Sequence, residues 1–211
     1  MPTRRRHPVL PTRRRHPVRQ CSQRAGRQTR AAHLIFNQGV LYENMAEDAS
    51  ALRCYKELLR ASLDAGDAVG EALACNCIGV AAQLKAGEED LQTAIRYHQQ
   101  HLAVADIPGK FIAHCNLGLA YQALGLLGEA TTNHQHALRY AIRMSSLAGE
   151  SLACGHLGML GAADTDTSRA CTERQLQLAR TLQDHRAQVR AQPSSPWPLH
   201  GHLHDPPWPP P

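Results

Sequence analysis

The sequence predicts an all-α protein, a solenoid of about four antiparallel helix pairs. Three observations carry that reading. First, a glycine recurs at Gly39, Gly79, Gly118 and Gly158, spaced by 40, 39 and 40 residues, inside LIFNQGVLY, LACNCIGVAA, IAHCNLGLAY and LACGHLGML. Self-similarity at a fixed period of about 20–50 residues marks a stack of helical units that bury their apolar faces on one another. Second, the stretch from Phe111 to Tyr140 holds two amphipathic periods. His114, Leu117, Gly118 and Tyr121 share one helical face, and Ala130, His134, Ala137, Leu138 and Ala141 share another. The Leu124-Gly125-Leu126 link between them is short enough to turn the chain back on itself. Third, twelve of the thirteen prolines lie outside residues 31–187, so little inside that span interrupts a helix.

In chain order, residues 1–30 read as a disordered basic arm. PTRRRHPV at Pro2–Val9 recurs at Pro11–Val18, and the segment holds ten arginines and no acid. Pro2, Pro8, Pro11 and Pro17 argue against a continuous helix there. The arm carries +10 of a total of +5, leaving −5 on the remainder, so the basic isoelectric point of about 9.0 describes the arm rather than the repeats. Two Arg triplets suit nuclear import or nucleic-acid phosphates, which keeps a nuclear or nucleic-acid-associated factor as the alternative function.

Residues 31–190 form the repeat domain, divided near 31–67, 68–107, 108–147 and 148–190. In the first repeat Tyr42 follows Gly39 by three residues and Ala51 by twelve, and Ala65-Gly66-Asp67 ends the second helix. The second repeat has Ala82 where the first has Tyr42. Its Ala94 comes fifteen residues after Gly79, so the turn around Gly87 carries three extra residues. The third is the most regular, with Leu117, Gly118, Tyr121 and Ala130 in place and Pro108 at its entry. In the fourth, Gly158 is in place but Gly161 replaces the tyrosine, and GAADTDTS replaces the tight turn. Its second helix, about Asp166 to Arg190, leaves open whether Ser168 or Ala170 stands where Ala130 does. Residues 191–211 are a Pro-, Trp- and His-rich tail that cannot be helical. With no separate polar capping helix in view, a truncated form of a longer repeat protein is a further alternative.

The Leu117-Gly118 pair, Tyr121 three residues on, and Ala130 and Ala137 on the next helix resemble the tetratricopeptide repeat. The period near 40 exceeds the usual ~34, and no proline closes each copy. That resembles the longer-helix subclass seen in rapsyn and in the spindle adaptors that bind Gα subunits. The resemblance covers roughly residues 31–187. It implies a right-handed superhelix packed through Gly39, Tyr42, Ala51, Gly79, Ala94, Leu117, Gly118, Tyr121, Ala130 and Gly158. A helical glycine costs about 1 kcal/mol against alanine. The expectation is therefore that the partner helix lies against the bare backbone of Gly118, with Ala130 and Ala137 as matching small residues.

The resemblance further implies a concave groove lined by the first helices, and a non-enzymatic adaptor that binds a protein or peptide there. The candidate groove positions are Phe36, Asn37, Val40, Asn76, Val80, Gln83, Asn116, Leu119, Gln122 and Met159. The lysine clamp of chaperone-tail-binding relatives is missing, with Phe36, Val40 and Cys77 at its sites. The asparagine that often follows the glycine in Gα-binding relatives is replaced by Val40, Val80, Leu119 and Met159. This groove therefore favours an apolar or amphipathic ligand.

Thirteen histidines and seven cysteines raise the question of metal. Cys75 and Cys77 point to different faces of a helix, and the H-E-x-x-H pattern is absent. By the resemblance, His98 and His134 occupy the aromatic packing position of the second helix. Phosphate-loop, dinucleotide-loop and G-x-S-x-G motifs are also absent, so neither a cofactor nor an enzymatic activity is expected. The odd number of cysteines, without disulfide-like spacing, points to a reducing compartment. The expected location is cytoplasmic, with nuclear entry through the arginine-rich arm as the alternative. No apolar run approaches the ~18 residues of a membrane span.

Overall fold

The computed structural model describes residues 17–161 and 166–182, with side chains from residue 31 on. Among these residues the chain forms eight α-helices. They are α1 (Pro17–Asn44), α2 (Asp48–Ala65), α3 (Ala68–Gln83), α4 (Glu88–Val104), α5 (Ile107–Ala123), α6 (Leu127–Arg143), α7 (Leu147–Leu160) and α8 (Asp166–Thr181). They pack as four antiparallel pairs, α1 with α2, α3 with α4, α5 with α6 and α7 with α8. Successive pairs join through α2 on α3, α4 on α5 and α6 on α7, and α3 also touches α5. Each unit thus meets mainly its sequence neighbours, the arrangement a helical repeat requires.

The breaks between pairs are built the same way three times. Asp67 accepts hydrogen bonds from the N–H groups of Val69 and Gly70, both at 3.1 Å, and opens α3. Asp106 does this for α5 through Gly109 N–H at 2.9 Å, and Ser146 for α7 through Gly149 N–H at 3.1 Å. Each satisfies a donor that the first turn of a helix leaves without a partner. Within the first pair, α2 ends at Gly66, whose φ of 66° is the left-handed conformation a side chain resists.

Helix α1 starts at Pro17, inside the segment expected to be a non-helical arm. A proline at the first helical position lacks only an N–H that would have had no helical partner, so Pro17 opens the helix instead of forbidding it. Residues 1–16 and 183–211, and with them most of the expected arm and the whole proline-rich tail, lie outside the described residues.

The core is a string of clusters, each spanning more than one helix. Ala51 and Tyr55 of α2 meet Ile78 of α3, with Phe36 and Tyr42 of α1 against them. Ile95 of α4 meets Leu117 and Ala120 of α5. Phe111 and Cys115 of α5 meet Ala137 and Ala141 of α6 and Ala153 of α7. Burying a side chain such as Ile78 or Leu117 contributes about 1.5–3 kcal/mol. No described helix is long and apolar enough to cross a membrane.

Candidate functional site

Four notches hold the helix pairs together and so place the surface between them. A Cβ on Gly39 would lie 2.5 Å from Tyr55 Cε1, one on Gly79 2.5 Å from His98 Cε1, and one on Gly158 2.6 Å from Thr172 Oγ1. On Gly118 it would overlap the His134 ring. The glycines therefore receive a side chain of the partner helix, usually a ring. This corrects the expectation of bare backbone against matching alanines. Ala51, Ala94 and Ala130 instead stand four residues before Tyr55, His98 and His134, all buried, and seat the turn of helix that presents each ring.

In the fourth pair Ser168 holds that position. Its hydroxyl donates to Gly158 O at 2.8 Å, and Thr172 fills the notch, whereas Ala170 is exposed. A second glycine row had not been anticipated. Gly70, Gly109 and Gly149 sit three residues after the caps Asp67, Asp106 and Ser146 and face the preceding second helix. Cβ atoms there would come to 2.8 Å from Ala105 at Gly109 and 3.2 Å from Ala141 at Gly149, and would overlap Ser62 at Gly70. The signal was present as D-x-x-G, D-x-x-G and S-x-x-G at spacings of 39 and 40.

The notch rings sit in an apolar setting. His98 and His134 are wholly buried, and among the described residues no ring nitrogen of either has a hydrogen-bond partner. Burial, helped by the nearby His101, pulls His98 down from 6.5 to about 4. Burial, helped by the stacked His156, pulls His134 down to about 3. The His134 and His156 rings stack at 4.6 Å, joining the third notch to α7. Tyr55 donates to Glu43 Oε2 at 2.6 Å, and burial first, then this bond, raises its pKa.

The expected ligand-facing residues lie on α1, α3, α5 and α7. Val40, Val80 and Leu119 are half-buried and Met159 is 56% exposed, whereas one residue before the glycine Ile78, Leu117 and Leu157 are buried in α3, α5 and α7 and Gln38 of α1 is exposed. The one-residue step from core to solvent follows from the 100° rotation per residue of an α-helix. Asn76 and Asn116 are brought together, Asn116 Nδ2 donating to Asn76 Oδ1 at 3.0 Å, which ties α3 to α5 along this face. Asn37 is exposed. Gln83 and Gln122, four residues after Gly79 and Gly118, are half-buried, and neither Oε1 has a hydrogen-bond partner among the described residues. Phe36 leans on the Tyr55 ring at 6.4 Å, so part of it serves the core.

Burial pushes the thiols of Cys75, Cys77 and Cys115 up to about 12, which keeps them protonated at neutral pH. Among the described residues no three His, Cys, Asp or Glu side chains are grouped to hold a metal ion. On α1, α3, α5 and α7 alike, the residue after the notch glycine is apolar and at least partly exposed. No protein-family model matches the chain, and no curated protein matches it either. What it has in common with helical-repeat proteins is the arrangement itself, paired antiparallel helices recurring at about 40 residues.

Proposed function

We propose that this chain is a tetratricopeptide-like, non-enzymatic adaptor that binds a peptide or helix of another protein along α1, α3, α5 and α7. In this reading the pairs coil into a right-handed superhelix whose concave side carries Val40, Val80, Leu119 and Met159, and the protein works in the cytoplasm. The observation that carries it is the partial exposure of this repeated apolar row beside residues that α3, α5 and α7 bury. A side chain that served only the core would be buried like Ile78, Leu117 and Leu157. A strip with a 40-residue pitch and amide neighbours at Asn37, Asn76 and Asn116 suits an amphipathic ligand, apolar contacts giving affinity and amides fixing its register.

The test is Val80→Lys combined with Leu119→Lys, assayed by affinity capture beside a thermal melt. Loss of captured partners with the melt retained supports the strip. Unfolding would mean that these residues belong to the core. Undiminished capture would move the partner off this face. Deleting residues 1–16, which hold both arginine triplets and stop short of α1, separates the reading from one based on the arginine-rich arm, since contacts to phosphates weaken steeply with salt and contacts in an apolar strip do not.

A further inference from the structure

Helices α7 and α8 approach closely because glycines face their contact. A Cβ on Gly155 would come 2.5 Å from Gln175 Nε2, and one on Gly158 2.6 Å from Thr172 Oγ1. Beside this contact Cys154 of α7 and Cys171 of α8 line the same cleft as neighbours, close enough for each thiol to perturb the other. Both are free thiols; Cys154 is buried and Cys171 half-exposed. They open onto one cleft of about 480 Å³, walled by Leu138 and Ile142 of α6 and by Arg174 of α8. The Arg174 guanidinium is held by Glu150 at 2.7 Å. Two neighbouring thiols on adjacent helices, one of them reached by solvent, are placed to exchange with a disulfide and then with each other.

We propose that Cys154 and Cys171 form a thiol–disulfide exchange site that takes a small disulfide, such as oxidised glutathione, and closes into an intrachain bond between α7 and α8. Cys171 attacks first, because it is the one solvent reaches. Its thiolate forms a bond to one sulfur of glutathione disulfide, and the other sulfur leaves as a thiolate and takes up the proton that Cys171 released. Cys154 then loses its proton and attacks the Cys171 sulfur, releasing the second glutathione. In balance, two protein thiols become one disulfide and one glutathione disulfide becomes two glutathione thiols. Burial pushes Cys154 up to about 12. Burial also raises Cys171, but the neighbouring Cys154 thiol opposes that rise. The order of attack follows, and so does a rate that increases with pH as thiolate accumulates.

The test is incubation of the full chain with graded ratios of oxidised to reduced glutathione, followed by mapping of non-reduced peptides and a thermal melt. The proposal expects a Cys154–Cys171 bridge, reversed by reduced glutathione, and a melting midpoint about 5 °C or more higher, since the bond closes a loop of the chain and so restricts the unfolded state. Cys154→Ser should trap glutathione on Cys171, and Cys171→Ser should leave Cys154 unmodified. A mixed disulfide that persists on Cys171 of the unaltered chain overturns the proposal. So does a bridge from Cys171 to any other cysteine, or failure to oxidise at all. Because the primary readout uses the unaltered chain, a variant that fails to fold does not shield the proposal.

Discussion

Replacing Gly79 by alanine and His98 by alanine, singly and together, probes the notch directly. A methyl at position 79 would meet His98 Cε1 at 2.5 Å, Nδ1 at 2.8 Å and Nε2 at 2.9 Å, about 0.9 Å short of ordinary contact. The ring is wholly buried and has nowhere to retreat. Overpacking of that kind costs about 1–3 kcal/mol, and the better helix propensity of alanine returns about 1 kcal/mol. Gly79→Ala should therefore destabilise by about 1 kcal/mol. His98→Ala empties the notch and should cost about 2–4 kcal/mol, nearer the lower figure because the lost ring had two unpartnered nitrogens. In the double variant the methyl enters the vacated space, so its loss should fall short of the sum by about 1–2 kcal/mol. Urea unfolding at about pH 8, where imidazole is uncharged, gives all three values. Additivity within about 0.5 kcal/mol would refute the notch.

The same rings set a pH dependence. His98 and His134 have folded values of about 4 and 3 against an ordinary 6.5, so the folded chain takes up fewer protons than the unfolded one as pH falls through 6.5. Their contribution is therefore complete above that value and is lost below it. Each should lose about 2 kcal/mol between pH 7 and pH 5, and urea midpoints across that range should drop accordingly. His98→Phe with His134→Phe should flatten the drop, and parallel curves for variant and parent would contradict the assignment. Ala130→Glu should destabilise by about 2–4 kcal/mol because it buries an unpaired charge at a position with no exposure. Arg139→Ala, on the exposed side of the same helix, should change stability by about 0.5 kcal/mol or less. Equal losses of melting temperature would disprove the facing assigned to α6.

The helix pairs were legible because a glycine that recurs at a fixed interval inside apolar helices has few explanations other than repeated close contact. What approaches each glycine was legible only in part, through the resemblance that put His98 and His134 at an aromatic packing position. A missing side chain reports that space is needed and says nothing of whether Tyr55, His98 or Thr172 fills it. The second glycine row escaped because Gly70, Gly109 and Gly149 sit in first turns, where glycine reads as ordinary helix entry; only together with Asp67, Asp106 and Ser146 do they declare a repeated joint. Pro17 misled because proline breaks a helix in its interior and tolerates one at its start, and spacing alone does not tell the two apart. The fourth pair was ambiguous by two residues until the Ser168 bond to Gly158 placed it. The candidate strip could be located from the rotation of one residue past each glycine, since that rotation is a property of any α-helix.

The four notch residues differ in one respect that the repeat conceals. Tyr55 and Thr172, in the outer pairs, take up no proton in mild acid, whereas His98 and His134, in the inner two, do so on unfolding. Heat or urea attacks a stack of nearest-neighbour units from its ends, and among the described residues the first and last pairs each have one neighbouring pair instead of two. Acid places its load on the middle. Lowering the pH should therefore part this chain from within, with amide exchange quickening first along α3 to α6 while the outer pairs still hold.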